Sequence, residues 1–241
     1  MMPILPAATA LVIRENKDVD KGIEMLLLKR NSKLVFAPSF WVFPGGRIDI
    51  EDGSIEADQL ETTAKVAAAR EAYEEARISV KPRDMIHFCN WTTPIGGKRR
   101  FSTWFFHCLA PKNIETVQID NSEIVEYKWI SPIKALEALS NKTLPLLPPT
   151  YITLQRIKHA NTYNDVVKEF NRTGVITAAP VTKVVEKKFY CLYNGDSGYD
   201  TGDISMKDSQ HRLIIDQEKS HYHFEYYNCS EPPINGGVKF Y

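Results

Sequence analysis

The stretch Arg70 to Ile78, REAYEEARI, gathers the residues best placed to do chemistry. On an α-helix, at about 100° per residue, Glu71, Glu74 and Glu75 fall within an arc of roughly 100° on one face. Val66, Ala69, Tyr73 and Ala76 form an apolar stripe on the opposite face, expected to rest on a sheet. One turn earlier the carboxylate side carries only Ala67 and Ala68, leaving room for larger groups. Like charges on one arc repel by tenths of a kcal/mol per pair, and Arg70 can reach Glu74 without serving all three acids. A hard divalent cation bound by carboxylate oxygens removes that repulsion and keeps coordination positions free for phosphate oxygens and water. The competing reading is a solvated acidic face on a surface helix.

The segment before this helix bears on the choice. Trp41 to Phe43 reads as a short strand ended by Pro44, Gly45 and Gly46, so a tight, exposed turn is expected there. WVFPGG followed by REAYEEARI resembles the Nudix box, whose pattern is G, five residues, E, seven residues, then REUxEExGU with U aliphatic. The resemblance implies an enzyme that uses Mg²⁺ (or Mn²⁺), with the helix glutamates and the first glycine's carbonyl as metal ligands and the arginine as a buttress of the loop. Carried onto this chain, the metal ligands are Glu71, Glu74, Glu75 and the carbonyl of Gly45, and the buttress is Arg70. Three departures stand out. The spacing from Gly46 to Arg70 is ten residues longer than the pattern, with Thr62 eight places before Arg70 and Glu61 beside it. Arg77 replaces the glycine that would close the helix, and small Ala72 occupies the aliphatic position.

An elongated box is similar to that of the coenzyme A diphosphatase branch, which includes the peroxisomal acyl-CoA enzymes. LLLKRNS before the box, NWTTP from Asn90, RRFSTWFF from Arg99, EYKWISPIKAL from Glu126 and LLPPTYITL from Leu146 extend the similarity over about residues 7 to 160, and HRL at His211 adds to it weakly. The implied reaction is hydrolysis of the diphosphate bond of coenzyme A or acyl-CoA, giving 4′-phosphopantetheine or its acyl form and adenosine 3′,5′-bisphosphate. Water attacks phosphorus directly, and no covalent intermediate is expected. The base is one of the helix glutamates or Glu123, because relatives place a catalytic acid in the corresponding loop. Arg30, Arg99 and Arg100, with Lys29 and Lys98 beside them, are candidates to meet phosphate or are ordinary surface cations. ADP-ribose or a dinucleotide as substrate, and a non-catalytic ligand-binding module, are the other readings.

These residues need a scaffold. Ala7 to Glu15 and Glu24 to Lys29 are β-prone, with the polar run ENKDVDKG between them as a turn. Thr62 to Ala76 reads as a helix capped by Thr62 or Thr63. Asp84 to Thr93 and Arg99 to Leu109 suit a hairpin turning at Gly96-Gly97, and Ile124 to Ile130 is a further strand. Helices are expected from Ser131 to Ser140, from Pro148, and from Tyr163 to Asn171. The expected fold is α/β, a Nudix-type α/β/α sandwich with a central mixed β-sheet, extra helices and a C-terminal extension. Residues 1–180 are expected to form the Nudix hydrolase domain, with 181–241, where HRLIID and HYHFEYY look like strands, packed on it.

Composition narrows the partners. The 241 residues are 43% hydrophobic and 25% charged, the profile of a chain with a real core. Lys and Arg together number 30, as do Asp and Glu, so no global field draws the chain to nucleic acid or to an anionic membrane. A small diphosphate is the expected ligand, and oligomeric state is left open. Cys89, Cys108, Cys191 and Cys229 have no zinc-type spacing and suggest a reducing compartment. With no signal peptide, membrane span or SKL address legible, the cytoplasm is the default location. His221 and His223 lack a third ligand partner, and Asp196, Asp200 and Asp203 read as turns.

Overall fold

The computed structural model describes residues 3–16, 22–95, 99–112 and 116–237. Its first half runs β1 (Ile4–Glu15), β2 (Ile23–Arg30), β3 (Trp41–Val42), β4 (Gly45–Arg47), α1 (Leu60–Ala76), β5 (Ile86–Thr92), β6 (Arg100–Leu109) and β7 (Ile124–Ile130). Then follow α2 (Pro132–Ser140), α3 (Pro148–Ile157), α4 (Tyr163–Thr173), β8 (Ile176–Ala178), β9 (Val181–Val185), β10 (Lys188–Leu192), β11 (Gln210–Asp216) and β12 (His221–Tyr227).

The central sheet has the order β3-β2-β1-β6-β5-β8, with β4 also paired to β1 and β7 to β2. It is mixed, because β1 runs parallel to β6 and β5 parallel to β8 while the other pairs are antiparallel. Buried on both faces, β1 is an almost unbroken apolar run. Its alternate residues serve different layers. Ala8, Ala10 and Val12 meet the alanines of α1 on one side, together with Leu26, Leu28 and Phe106. Leu11 and Ile13 join Met25, Leu27, Phe88 and residues of α2, α3 and α4 on the other. Helices therefore cover both faces, the α/β/α arrangement that the sequence suggested.

Residues from Val181 onward build a separate antiparallel sheet of order β12-β11-β10-β9. Cys191, Tyr193, Leu213 and Phe224 on its inner face enter the same core as Leu146 and Tyr151. Its far side is braced by a buried ion pair, Arg212 to Asp196 at 2.7 Å, so Asp196 is more than a turn residue. A buried pair of this kind is costly to break from one side. His221 and His223 stack at 6.5 Å on β12, and among the described residues no group of three or more His, Cys, Asp or Glu is arranged to hold a metal ion.

Several boundaries differ from the sequence expectation. Helix α1 starts at Leu60, and neither threonine caps it: the Thr63 hydroxyl donates to the Ser54 carbonyl at 2.6 Å from inside the first turns. Gly45 and Gly46 form a strand against β1 and not only a turn. Asp84 ends a 3₁₀ turn, and β5 begins at Ile86. Lys98 and the Gly96-Gly97 turn lie outside the described residues, as does most of the ENKDVDKG turn. No helix among the described residues is long and apolar enough to cross a membrane.

One buried group makes the core sensitive to acid. His107 on β6 is fully enclosed, with Nδ1 3.0 Å from the Tyr163 hydroxyl. Burial, helped by the charge of Arg156, pulls its pKa from 6.5 down to about 4. As pH falls, the unfolded chain takes up this proton first, so stability is lost between those two values, by on the order of 3 kcal/mol. Because other buried groups titrate in the same window, the difference between proteins is what reports on His107. From urea denaturation at pH 7.5 and pH 5, the unaltered protein is expected to change its stability less favourably on acidification than His107→Gln, by about 2 kcal/mol; an equal pH dependence in the two would clear His107.

Candidate active site

Helix α1 lies on the sheet by its alanines, which decides where its acids go. Ala64, Ala67, Ala68 and Ala76 are buried against β1 and β6, whereas Tyr73 is 48% exposed and Val66 and Ala69 are only partly covered. The docking face is thus the one carrying the small residues: of the stripe that the sequence suggested, Ala76 is buried and Ala69 packs at its edge, whereas Tyr73 turns outward. Methyl side chains let the helix approach closely, and Glu71 and Glu75 at the end of this face meet the sheet instead of bulk water.

They meet it at the glycines of β4. A Cβ placed on Gly46 would lie 2.6 Å from Cδ of Glu71, and one on Gly45 would lie 2.6 Å from the Ala8 carbonyl oxygen. At Gly45 the clash is with backbone and only glycine fits, whereas a side chain at Gly46 would push the Glu71 carboxylate out of its place. The backbone N–H of Gly45 donates to Oε2 of Glu75 at 2.9 Å. Glu75 is 6% exposed, and burial, reinforced by the charge of Glu71, drives its pKa up to about 8 against the pull of that hydrogen bond. Burial also raises the pKa of Glu71, while Arg70 offsets part of the shift. Two carboxyls that resist ionisation sit side by side, a concentration of negative potential that a cation would relieve.

Arg70 ties this arrangement together. Its Nε and Nη2 donate to the two carboxylate oxygens of Asp52 at 2.9 Å each, and Nη2 also reaches the Arg47 carbonyl. Nη1 donates to Glu71 and to Glu74, both at 2.9 Å. Burial works against the ionisation of Asp52, but the hydrogen bonds from Arg70 and from Asp49 keep its pKa below the usual range. Arg70 is held firmly protonated, first by the hydrogen bond to Asp52. Sequence reasoning missed Asp52, although a signal was present. Five residues separate it from Gly46, as in the box pattern's first acid, so the ten extra residues fall between Asp52 and Arg70. Glu61 instead pairs with Lys65 at 2.8 Å.

The site opens into a cleft of about 710 Å³ lined by Gly45, Gly46, Arg70 and the three glutamates of α1. Arg30, Arg99 and Glu123 border the same cleft, and so do Asp49 and Asp120, which the sequence had not singled out. Arg30 lies 3.9 Å from Glu123, and its Nε donates to the Phe36 carbonyl. Glu123 is over half exposed at the start of β7, where its backbone is fixed by Asp120. Arg100 is not part of the lining, since its guanidinium turns to the Thr93 carbonyl at 3.2 Å. Lys29 pairs with Glu126 at 3.3 Å and also stays out of it. Of the aromatics on β6, Phe101 and Phe105 reach the cleft and Phe106 is core.

Helix α1 closes without glycine. Arg77 adopts the left-handed conformation, φ 54°, and stacks on Tyr73 with 5.0 Å between guanidinium and ring centre. The stacking compensates part of the strain that glycine would have avoided.

Known proteins place the chain. The acyl-coenzyme A diphosphatase NUDT19 of Gallus gallus is 27% identical over 73% of this chain, and that of Xenopus laevis 25% over 60%. These alignments take in 53% and 62% of the two relatives, so the chain spans between half and two thirds of their length. The crystal structure of a Nudix hydrolase from Alicyclobacillus acidocaldarius shares the fold with a TM-score of 0.59 at 21% identity, over 70% of this chain and 97% of its own. The family model described as the NUDIX domain matches residues 4–148, more than half of the sequence, and the chain belongs to the Nudix family.

Proposed function

We propose that this protein hydrolyses the diphosphate bond of coenzyme A or acyl-CoA, with water, to (acyl-)4′-phosphopantetheine and adenosine 3′,5′-bisphosphate. The observation that carries the catalytic part is a pair of carboxyls, buried Glu75 and partly buried Glu71, pressed against Gly45 and Gly46 in the cleft. Nudix hydrolases generally use a divalent metal. The donor set here, carboxylates with a backbone oxygen nearby, suits a hard cation such as Mg²⁺ or Mn²⁺, and the raised pKa values of Glu71 and Glu75 mark a place where positive charge is wanted. As they stand, Glu71 and Glu74 are occupied by Arg70, and among the described residues the acids are not gathered into a ready-made metal cluster; with Arg70 drawn back, Glu71, Glu74, Glu75 and the Gly45 carbonyl would hold it. When bound, it would supply charge neutralisation of the diphosphate and a lower pKa for attacking water.

The chain's own groups do the rest. Arg70 positions the strand of glycines and the acids by binding Asp52 and the Arg47 carbonyl at once. The proton of the attacking water goes to a helix glutamate or to Glu123, whose charge is felt by Glu75 from across the cleft. Arg30 and Arg99 meet phosphate oxygens at the rim. Support for coenzyme A as the nucleotide comes from the relatives' names and from the similarity of the segments flanking the box. Four free thiols suit a reducing compartment, the cytoplasm by default.

Two outcomes are expected. Glu74→Gln and Glu75→Gln lower kcat with Mg²⁺ by about 100-fold or more, and a circular dichroism spectrum like that of the unaltered protein shows the fold kept. The raised pKa of Glu75 means that metal-free stability falls as pH rises from 4.5 towards about 8, by on the order of 4 kcal/mol. Mg²⁺ should restore it at pH 8, and Glu75→Gln should show a smaller decline and a weaker restoration, the remainder coming from Glu71; a decline as large as in the unaltered protein would clear Glu75. Substrate identity is read from initial rates on coenzyme A, dephospho-coenzyme A and ADP-ribose. Faster cleavage of coenzyme A is expected; equal rates on all three would remove the 3′-phosphate from recognition.

A further inference from the structure

The cleft does not end at Arg99. Phe36, Trp91, Thr93, Arg99, Leu147 and Pro149 border both the cleft and a second space of about 870 Å³. One wall of this chamber is the proline run at 145–149, and the other is the C-terminal sheet, through Thr182, Phe189, Cys191, Ile215 and Tyr222. The pairing register explains why these side chains share a face. Cys191 stands opposite Thr182, and Ile215 stands opposite both Phe189 and Tyr222. Deeper residues of the same face, Leu213 and Phe224, are buried in the core, whereas Phe189, Ile215 and Tyr222 remain partly exposed. The apolar face is therefore longer than the core that it covers, and the surplus lines open space.

Among the described residues, the charged groups on these walls are Arg99, at the junction with the cleft, and Lys142, whose ammonium is bound to the Glu218 carbonyl. A volume of this size is ordinary for a small-molecule site, typically ~300–1,000 Å³. Its position fixes what enters: a group attached to the diphosphate, passing Arg99 and leaving the phosphates behind.

We propose that the C-terminal sheet completes a chamber for a long apolar arm, of the fatty acyl thioester kind, carried by the same molecule whose diphosphate lies in the cleft. This rests on the diphosphatase reading for its substrate and gives residues 181–227 a role in specificity. Each methylene moved from water into the chamber should tighten binding by about fourfold until the space is filled.

The test separates the chamber from the chemistry. Thr182 lies on the edge strand β9 and Gln217 on an exposed turn, both lining the chamber, so Thr182→Trp and Gln217→Trp fill it from positions that tolerate bulk. Binding of a free medium-chain fatty acid, which has no diphosphate, is measured by displacement of a fluorescent polyene fatty acid. The unaltered protein should bind it, and at least one well-folded tryptophan variant should bind at least 10-fold more weakly. In turnover, KM should fall with acyl length for the unaltered protein. The same variant should raise KM for the longest ester at least 10-fold and leave unacylated coenzyme A unchanged. If fatty acid binds and the variant blocks it while no coenzyme A ester is cleaved, the chamber stands and the diphosphatase reading fails. Absent fatty-acid binding, well-folded variants that bind like the unaltered protein, or a KM independent of acyl length would each overturn the chamber.

Discussion

Carboxylates on a helix normally turn to water, and the central constraint in this molecule is that two of them do not. The docking face of α1 is made of alanines, so the helix sits close enough to the sheet that Glu71 and Glu75 end against the backbone of Gly45 and Gly46. Burying two acids side by side is unfavourable by desolvation and by mutual repulsion. The compensation visible in the structure is partial: one N–H to Glu75 and one arm of Arg70 to Glu71. What remains is a site with excess negative potential at the bottom of a cleft, the property that binding a cation and a diphosphate would use.

Arg70 keeps that site in register with the loop that precedes the helix. Its guanidinium spans Asp52, the Arg47 carbonyl, Glu71 and Glu74, so helix and glycine strand move as one piece. The ten extra residues lie outside this clamp. They are taken up by the segment after Asp52 and by the early turns of α1, with Thr63 holding Ser54. An insertion placed there lengthens the loop without loosening the acids, because the clamp closes the loop at its two ends.

Much of this was legible in the chain. The acid triplet and the paired glycines stand out in sequence, and the fold brings them together; the alternation along β1 follows from a strand covered on both faces. Other features were obscured for physical reasons. Alanine carries so little apolar surface that the larger Val66 and Tyr73 drew the expected stripe off the true docking face; closeness of approach, not hydrophobic bulk, decided it. Asp52 was hidden because spacing was counted back from the helix, across the insertion, and not forward from Gly46. Arg100 is cationic in sequence but already serves a carbonyl in the fold. Strands β9 and β10 were missed since VTKVV and KFYCL are short and only partly buried. The chamber that they help to line arises from the pairing register of a second sheet, which no local pattern encodes.

The most direct measurement of the central claim is anomalous diffraction from crystals soaked in Mn²⁺. The account places density within about 2.2 Å of carboxylate oxygens of Glu71 and Glu75, next to Gly45. Density absent from that floor, or Arg70 still occupying the glutamates while Mn²⁺ binds elsewhere, would contradict it.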